Sequence, residues 1–196
     1  MIYSIVIKIS NHMLNRNIIK KELLEVYQYG LELMISCIIT SSSIIITACL
    51  LDSFLIGMLY FFISVPLKVT VGGYHASTYS KCFIISNLEY IAVSITAKVL
   101  SLLFLPSFIW IILLITSVYY ILRNCPVKNS NHPISNNVLK RNQHLSFLLL
   151  GADCIAITVL YVLLSQSSFL NFSVLSIASI AVFILPTKRK EGSSYG

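Results

Sequence analysis

His75 and Cys82 stand seven positions apart in the stretch Gly72-Gly73-Tyr74-His75-Ala76-Ser77-Thr78-Tyr79-Ser80-Lys81-Cys82, a polar break between two apolar runs. A cysteine attacks as its thiolate, and a neighbouring imidazole can take its proton. That exchange needs nitrogen and sulfur within about 3–4 Å. On one straight helix seven residues rise about 10.5 Å, so a working pair requires the chain to bend between them. The glycine pair and the run Ser77-Thr78-Tyr79-Ser80 are residues that permit such a bend. Cys82 then stands at the start of the next helix, where free amides and the helix dipole favour a thiolate. Lys81 adds positive charge beside it. Spacing alone fits equally well a juxtamembrane loop that carries one His and one Cys without using them together. Two ligands are too few for a metal, and His12, His132 and His144 show no convergent spacing, so neither metal nor cofactor is expected.

The rest of the chain says where such a loop would sit. Its 196 residues are 57% hydrophobic and 11% charged, with a mean hydropathy of +0.85. Too few polar residues are present to cover a soluble surface, which points to an all-α, polytopic membrane protein. The net charge of +7 would suit nucleic acid only if Lys and Arg were gathered on one exposed domain. They lie instead in short breaks between apolar runs, so the expected partner is the lipid bilayer and no nucleic acid is expected.

Six candidate spans are legible, roughly Leu31–Leu51, Phe54–Val71, Phe83–Leu103, Phe108–Leu122, Leu145–Leu164 and Phe169–Pro186. A crossing helix takes about 20 mostly apolar residues. The fourth run is short, and the second ends in Val65-Pro66-Leu67-Lys68. With the N-terminus in the cytoplasm and sides alternating, 13 of the 14 basic residues fall inside. The outer turns at Asp52-Ser53, Pro106-Ser107 and Ser165 to Ser168 hold none, and Lys98 lies within the third span near its outer end. Such a split follows the positive-inside rule and predicts a multi-pass cell-membrane protein with both termini cytoplasmic. Residues 1–30 carry apolar positions at Ile2, Ile5, Ile9 and Met13, then Ile19, Leu23 and Val26, with Lys, Arg and Asn between. One or two amphipathic helices on the inner surface are expected there. Lys8, the first basic residue, follows an apolar patch, unlike a secretory signal. The predicted organisation is a surface segment at 1–30 and a six-helix domain at 31–187, with a cytoplasmic active-site loop at 68–82 and a basic tail at 188–196. The stretch from Arg123 to His144 reads as a solvated inner connection.

The five cysteines form no C-x-x-C pair, so no zinc site or disulfide framework is indicated. Cys37, Cys49 and Cys154 read as small apolar residues inside helices. Charges inside spans are functional candidates by default. Glu89 lies seven residues beyond Cys82 on nearly the same helical face, and could orient His75 or pair with a basic loop residue. Asp153 lies in the fifth span. Lys98 could snorkel outward or meet Asp52. Tyr60, Tyr74, Tyr90, Tyr119, Tyr120 and Trp110 read as packing or interface anchors.

Gly72-Gly73-Tyr74-His75-Ala76, followed by Cys82 and an apolar helix, resembles the AgrB family, the accessory gene regulator proteins of Gram-positive bacteria. The likeness extends to chain length, the basic amphipathic N-terminus and about six spans. It implies a membrane cysteine endopeptidase that processes an AgrD-type precursor peptide into a cyclic autoinducing peptide for quorum sensing. It also implies that His75 and Cys82 are catalytic, that Gly73 falls on a glycine used just before the histidine, and that Lys68 stands where some relatives carry arginine. Glu89 joins Gly73 and Lys68 as a candidate supporting residue. The resemblance further implies a charged, often acidic, precursor tail, for which Arg123, Lys128, Lys140 and Arg141 are candidate binding residues.

Two other function classes fit the composition. In a transporter, Glu89, Asp153 and Lys98 would line a path, and a homodimer could build it. A non-catalytic membrane assembly factor would use only the basic rim. A transporter should tolerate loss of the thiol but not of the acids. The charge split makes its own prediction. Reporter fusions at Ser107 and Ser167 should read outside and those at Ser130 and Ser193 inside; a fusion at Ser130 that reads outside overturns the layout.

Overall fold

Hydrocarbon offers no partner to backbone N–H and C=O groups, so apolar runs of this length must close their hydrogen bonds within helices. The computed structural model describes residues 2–51, 53–72, 78–103, 105–127, 136–164 and 168–192, for backbone only at 136, 137, 164 and 186–192. Helix α1 covers Ile2–Asn15 and, after a short turn at Lys21–Leu23, α2 covers Leu24–Leu50. Helix α3 (Phe54–Leu59) runs through a π-helical segment (Tyr60–Ser64) into α4 (Val65–Val71). Then follow α5 (Tyr79–Leu102), α6 (Ser107–Asn124), α7 (Asn136–Leu164) and α8 (Ser168–Gly192). There is no strand among the described residues. Six helical stretches are long and apolar enough to cross a membrane: Lys21–Leu50, Phe54–Val71, Tyr79–Leu102, Ser107–Asn124, Val138–Leu163 and Ser168–Leu185. The protein is an all-α, multi-pass membrane protein, as its composition predicts.

Three boundaries depart from the sequence reading, each for a local reason. Helix α5 starts at Tyr79 and not Phe83, because Thr78 caps it: its Oγ1 accepts from the Lys81 N–H at 3.3 Å. Helix α7 starts at Asn136, so the stretch ending at His144 is not a loop throughout. Val138, Asn142, Ser146 and Leu150 are at least partly buried at a spacing of four, while Lys140, Arg141 and His144 stay exposed. The helical face simply continues beyond the apolar run. At the N-terminus, α1 folds against α2 with Val6 and Ser10 buried, and Gln28 Nε2 donates to Ser10 Oγ at 3.2 Å. The second part of the amphipathic stretch belongs to α2, which is unbroken to Leu50. Its 27 residues make a helix of about 40 Å, longer than the hydrocarbon core of about 30 Å.

Helix α8 is the centre of the bundle, in contact with α5, α6, α7 and the π-helical segment. One core layer joins Ile63, Leu67, Ile121, Leu150 and Ile177. The other joins Ile44, Ala48, Ile56, Tyr60, Tyr90 and Phe172. Here α2 and α3 approach closely: a Cβ added at Gly57 would lie 2.7 Å from the Ala48 Cβ. Small residues at such crossings replace the hydrophobic drive that lipid removes.

The two ends of the bundle are tied differently. At one, Lys98 Nζ donates to the Leu51 carbonyl at 2.6 Å, closing the C-terminus of α2; Asp52 lies outside the described residues. At the other, the chain leaving α6 passes through Cys125 and Pro126, and the Val127 N–H donates to the Val71 carbonyl at 3.0 Å. Gly72 ends α4 with φ +71°, a conformation that favours glycine, and a Cβ there would lie 2.9 Å from the Val127 oxygen. Gly72→Ala should therefore cost about 1–3 kcal/mol and push the two segments apart. The expected result is a lower unfolding temperature in detergent, whereas Gly30→Ala, within α2 at a position with no neighbour within 4 Å, should not lower it.

Candidate active site

The bend that a His75–Cys82 pair requires falls between α4 and α5, since one helix stops at Val71 and the next begins at Tyr79. His75 and Gly73 themselves lie outside the described residues. Cys82 is exposed, in the opening turn of α5, and its N–H donates to the Thr78 carbonyl at 3.1 Å. Gly72 N–H is likewise engaged, with the Lys68 carbonyl at 3.2 Å. Neither of these two amides is therefore open to stabilise an oxyanion. The amides of Tyr79 and Ser80, in the first helical turn, have no acceptor within the helix itself.

The other cysteines stand in different surroundings. Cys37 and Cys49 lie on the exposed surface of α2, and Cys154 is half-buried in α7. Cys125 is buried just beyond α6, and desolvation pushes its thiol above the ordinary range. A thiol held neutral in this way is inert. Cys82 is thus the cysteine that combines exposure with a helix start, and it follows His75 by seven positions in the sequence.

Beneath Cys82 lies a cluster of polar side chains from four elements. Lys68 of α4 forms an ion pair with Glu89 Oε2 of α5. Lys68 Nζ also donates to Tyr60 Oη at 3.0 Å and lies 5.0 Å from the Tyr60 ring centroid. Ser179 Oγ of α8 donates to Glu89 Oε1 at 2.7 Å. Both carboxylate oxygens are therefore engaged, and the Glu89 side chain is only 6% exposed against 27% for Lys68. A further link holds α5 to α2: Ser43 Oγ donates to Asn87 Oδ1 at 2.9 Å.

Tyr60, read from sequence as a packing residue, does pack edge-on to Tyr90 at 5.4 Å, but it also binds Lys68. Ser179 was not legible as a partner of Glu89. Its signal is the spacing of Ser173, Ser176 and Ser179, which puts small polar residues along one side of α8. The candidate binding cations are more scattered. Arg123 is exposed at the end of α6 and donates to Tyr119 Oη at 3.1 Å. Lys140 and Arg141 are exposed near the start of α7, and Lys128 lies outside the described residues. Asp153 is buried in α7, and its Oδ2 has no hydrogen-bond partner. No cluster of three or more metal-ligand side chains occurs among the described residues.

No curated protein and no solved structure matches the chain. The family model for accessory gene regulator B matches residues 4–185, from α1 into α8, and the chain belongs to that family.

Proposed function

We propose that this protein is a membrane cysteine endopeptidase that cuts an AgrD-type precursor and passes the product on as a cyclic peptide. Family membership supports a role in the accessory gene regulator system and in autoinducer-peptide processing. The observation that carries the finer reading is Cys82: an exposed thiol in the opening turn of α5, next to the loop that contains His75.

The chemistry runs in two steps. His75 takes the Cys82 proton, and the thiolate attacks a precursor carbonyl. The peptide C–N bond breaks, His75 returns the proton to the leaving amine, and the N-terminal fragment remains as a thioester on Cys82. A thiol within that fragment then attacks the thioester carbonyl. Its proton passes through His75 to the departing Cys82 sulfur, and a thiolactone closes. Sulfur replaces sulfur, so acyl activation is conserved as long as water is kept from the thioester.

The inner rim has a part in capture. Arg123, Lys140 and Arg141 are exposed, and the Val127–Val71 hydrogen bond brings the end of α6 to the same end of the bundle as the α4–α5 loop. Opposite charge raises the encounter rate of an acidic tail, and salt screens that effect.

Co-expression with AgrD-type precursors and mass spectrometry of the products test the reading. Cys82→Ala and His75→Ala should each abolish cleavage without loss of membrane insertion, and Cys82→Ser should fare little better. Normal cleavage by an inserted Cys82→Ala protein would remove the peptidase assignment. Neutralising Arg123, Lys128, Lys140 and Arg141 together should slow processing several-fold at low salt and flatten its salt dependence. Unchanged processing by a correctly oriented quadruple variant would leave the rim with a topological role alone.

A further inference from the structure

The helices that flank the His75–Cys82 loop are held by different neighbours. Helix α4 packs chiefly on α7, whereas α5 packs on α8 and α2. Between α4 and α5 themselves the packing is sparse, with Val65 of α4 joining the core layer that holds Tyr90 of α5, yet the connection between them must present two groups to each other within a few ångströms. The direct side-chain tie between α4 and α5 is the Lys68–Glu89 ion pair, and it is the one ion pair among the described residues.

Its placement suits such a tie. Lys68 lies seven residues before His75, and Glu89 lies seven residues after Cys82. Seven residues are nearly two full helical turns, so Glu89 and Cys82 share a face about 10.5 Å apart along the axis. From Lys68 to Val71 the helix rises about 4.5 Å. The remaining 6 Å or so to the level of Cys82 is well within the reach of residues 72–75, about 13 Å when extended. The pair also draws on the rest of the bundle: Tyr60 holds the lysine from one side, and Ser179 of α8 holds the far carboxylate oxygen. Stability does not account for it, because a buried ion pair is commonly matched or bettered by apolar residues of similar size.

We propose that the Lys68–Glu89 pair, braced by Tyr60 and Ser179, is a pin that sets α4 against α5 and so holds His75 and Cys82 in reacting register. Lys68 and Glu89 are then positioning residues. Lys68, compensated by Glu89, is not a free docking cation for the precursor. The inference rests on the peptidase reading, and its test separates the two.

The measurement is the rate of Cys82 alkylation by iodoacetamide across pH, without precursor, read by mass spectrometry of the Cys82 peptide in full-length inserted protein. His75→Ala should slow the reaction at neutral pH, because the thiol then lacks the base that takes its proton. Lys68→Met/Glu89→Gln removes the tie but leaves the net local charge unchanged. It should move the profile toward that of His75→Ala, with roughly tenfold slower alkylation at pH 7 and a matching loss of processing. Lys68→Arg should keep the wild-type profile, and the swapped protein Lys68→Glu/Glu89→Lys should recover part of it. Coincidence of the wild-type and His75→Ala profiles would overturn the peptidase pair itself. A distinct wild-type profile that the neutral double variant shares would overturn the pin alone. Should the neutral variant fail to insert, Lys68→Arg and the swapped protein decide: an inserted swap with no recovery beyond the His75→Ala profile overturns the pin.

Discussion

A lysine and a glutamate facing each other inside an apolar bundle constrain everything around them. Removing either charge from water costs several kcal/mol, and their attraction offsets this only when the remaining donors and acceptors are also satisfied. Around Lys68 and Glu89 they are. The ammonium meets a carboxylate, a phenol oxygen and the faces of the Tyr60 and Phe183 rings, and each carboxylate oxygen has a donor. To assemble that set, α4, α5, α8 and the π-helical segment must converge at one depth. A slip of one residue in any of them would leave a buried charge without a partner, which is far costlier than a lost apolar contact. The pair therefore acts on register more than on net stability.

The π-helical segment is part of the same requirement. Pro66 has no N–H to offer, and its ring crowds the carbonyl four residues earlier. Just before it the ladder widens, and the Val65 N–H donates to the Tyr60 carbonyl, five residues back. In a regular helix, Tyr60 and Lys68 would be about 80° out of register. One extra residue in a turn removes about that angle, and the two side chains meet at 3.0 Å. Such widened turns recur at functional sites. Here the widening aligns the Tyr60 phenol with Lys68.

What the sequence makes legible follows from which forces are local. Hydropathy and the positive-inside split depend on windows of about 20 residues, and the six spans can be read from them directly. The break between Val71 and Tyr79 was likewise legible, from a glycine pair and a run of small hydroxyl residues. The start of α7 at Asn136 was not, because Val138 and Asn142 only count as a buried face once other helices stand beside them. The partners of Lys68 and Glu89 lie 21 and 90 residues apart along the chain. No local period encodes which helix becomes the neighbour of which. For Lys98 the sequence offered Asp52 or the solvent, and the lysine instead caps the carbonyl of Leu51, a backbone partner that residue types do not announce.

The unequal ends of the bundle bear on the chemistry that this family context asks for. Under the proposed peptidase reading, a thioester must meet a thiol and not water, and yet its nucleophile must remain open to a peptide that arrives from outside the bundle. Deep burial would meet the first demand and defeat the second, as Cys125 illustrates: desolvation keeps its thiol protonated. Full solvation would do the reverse. Cys82 lies between these limits, exposed at the start of a helix whose next two turns descend to a buried carboxylate. Among the described residues, polar order is concentrated below the thiol, in Tyr60, Lys68, Glu89 and Ser179. The fixed groups hold the helix that, under the proposed peptidase reading, carries the nucleophile.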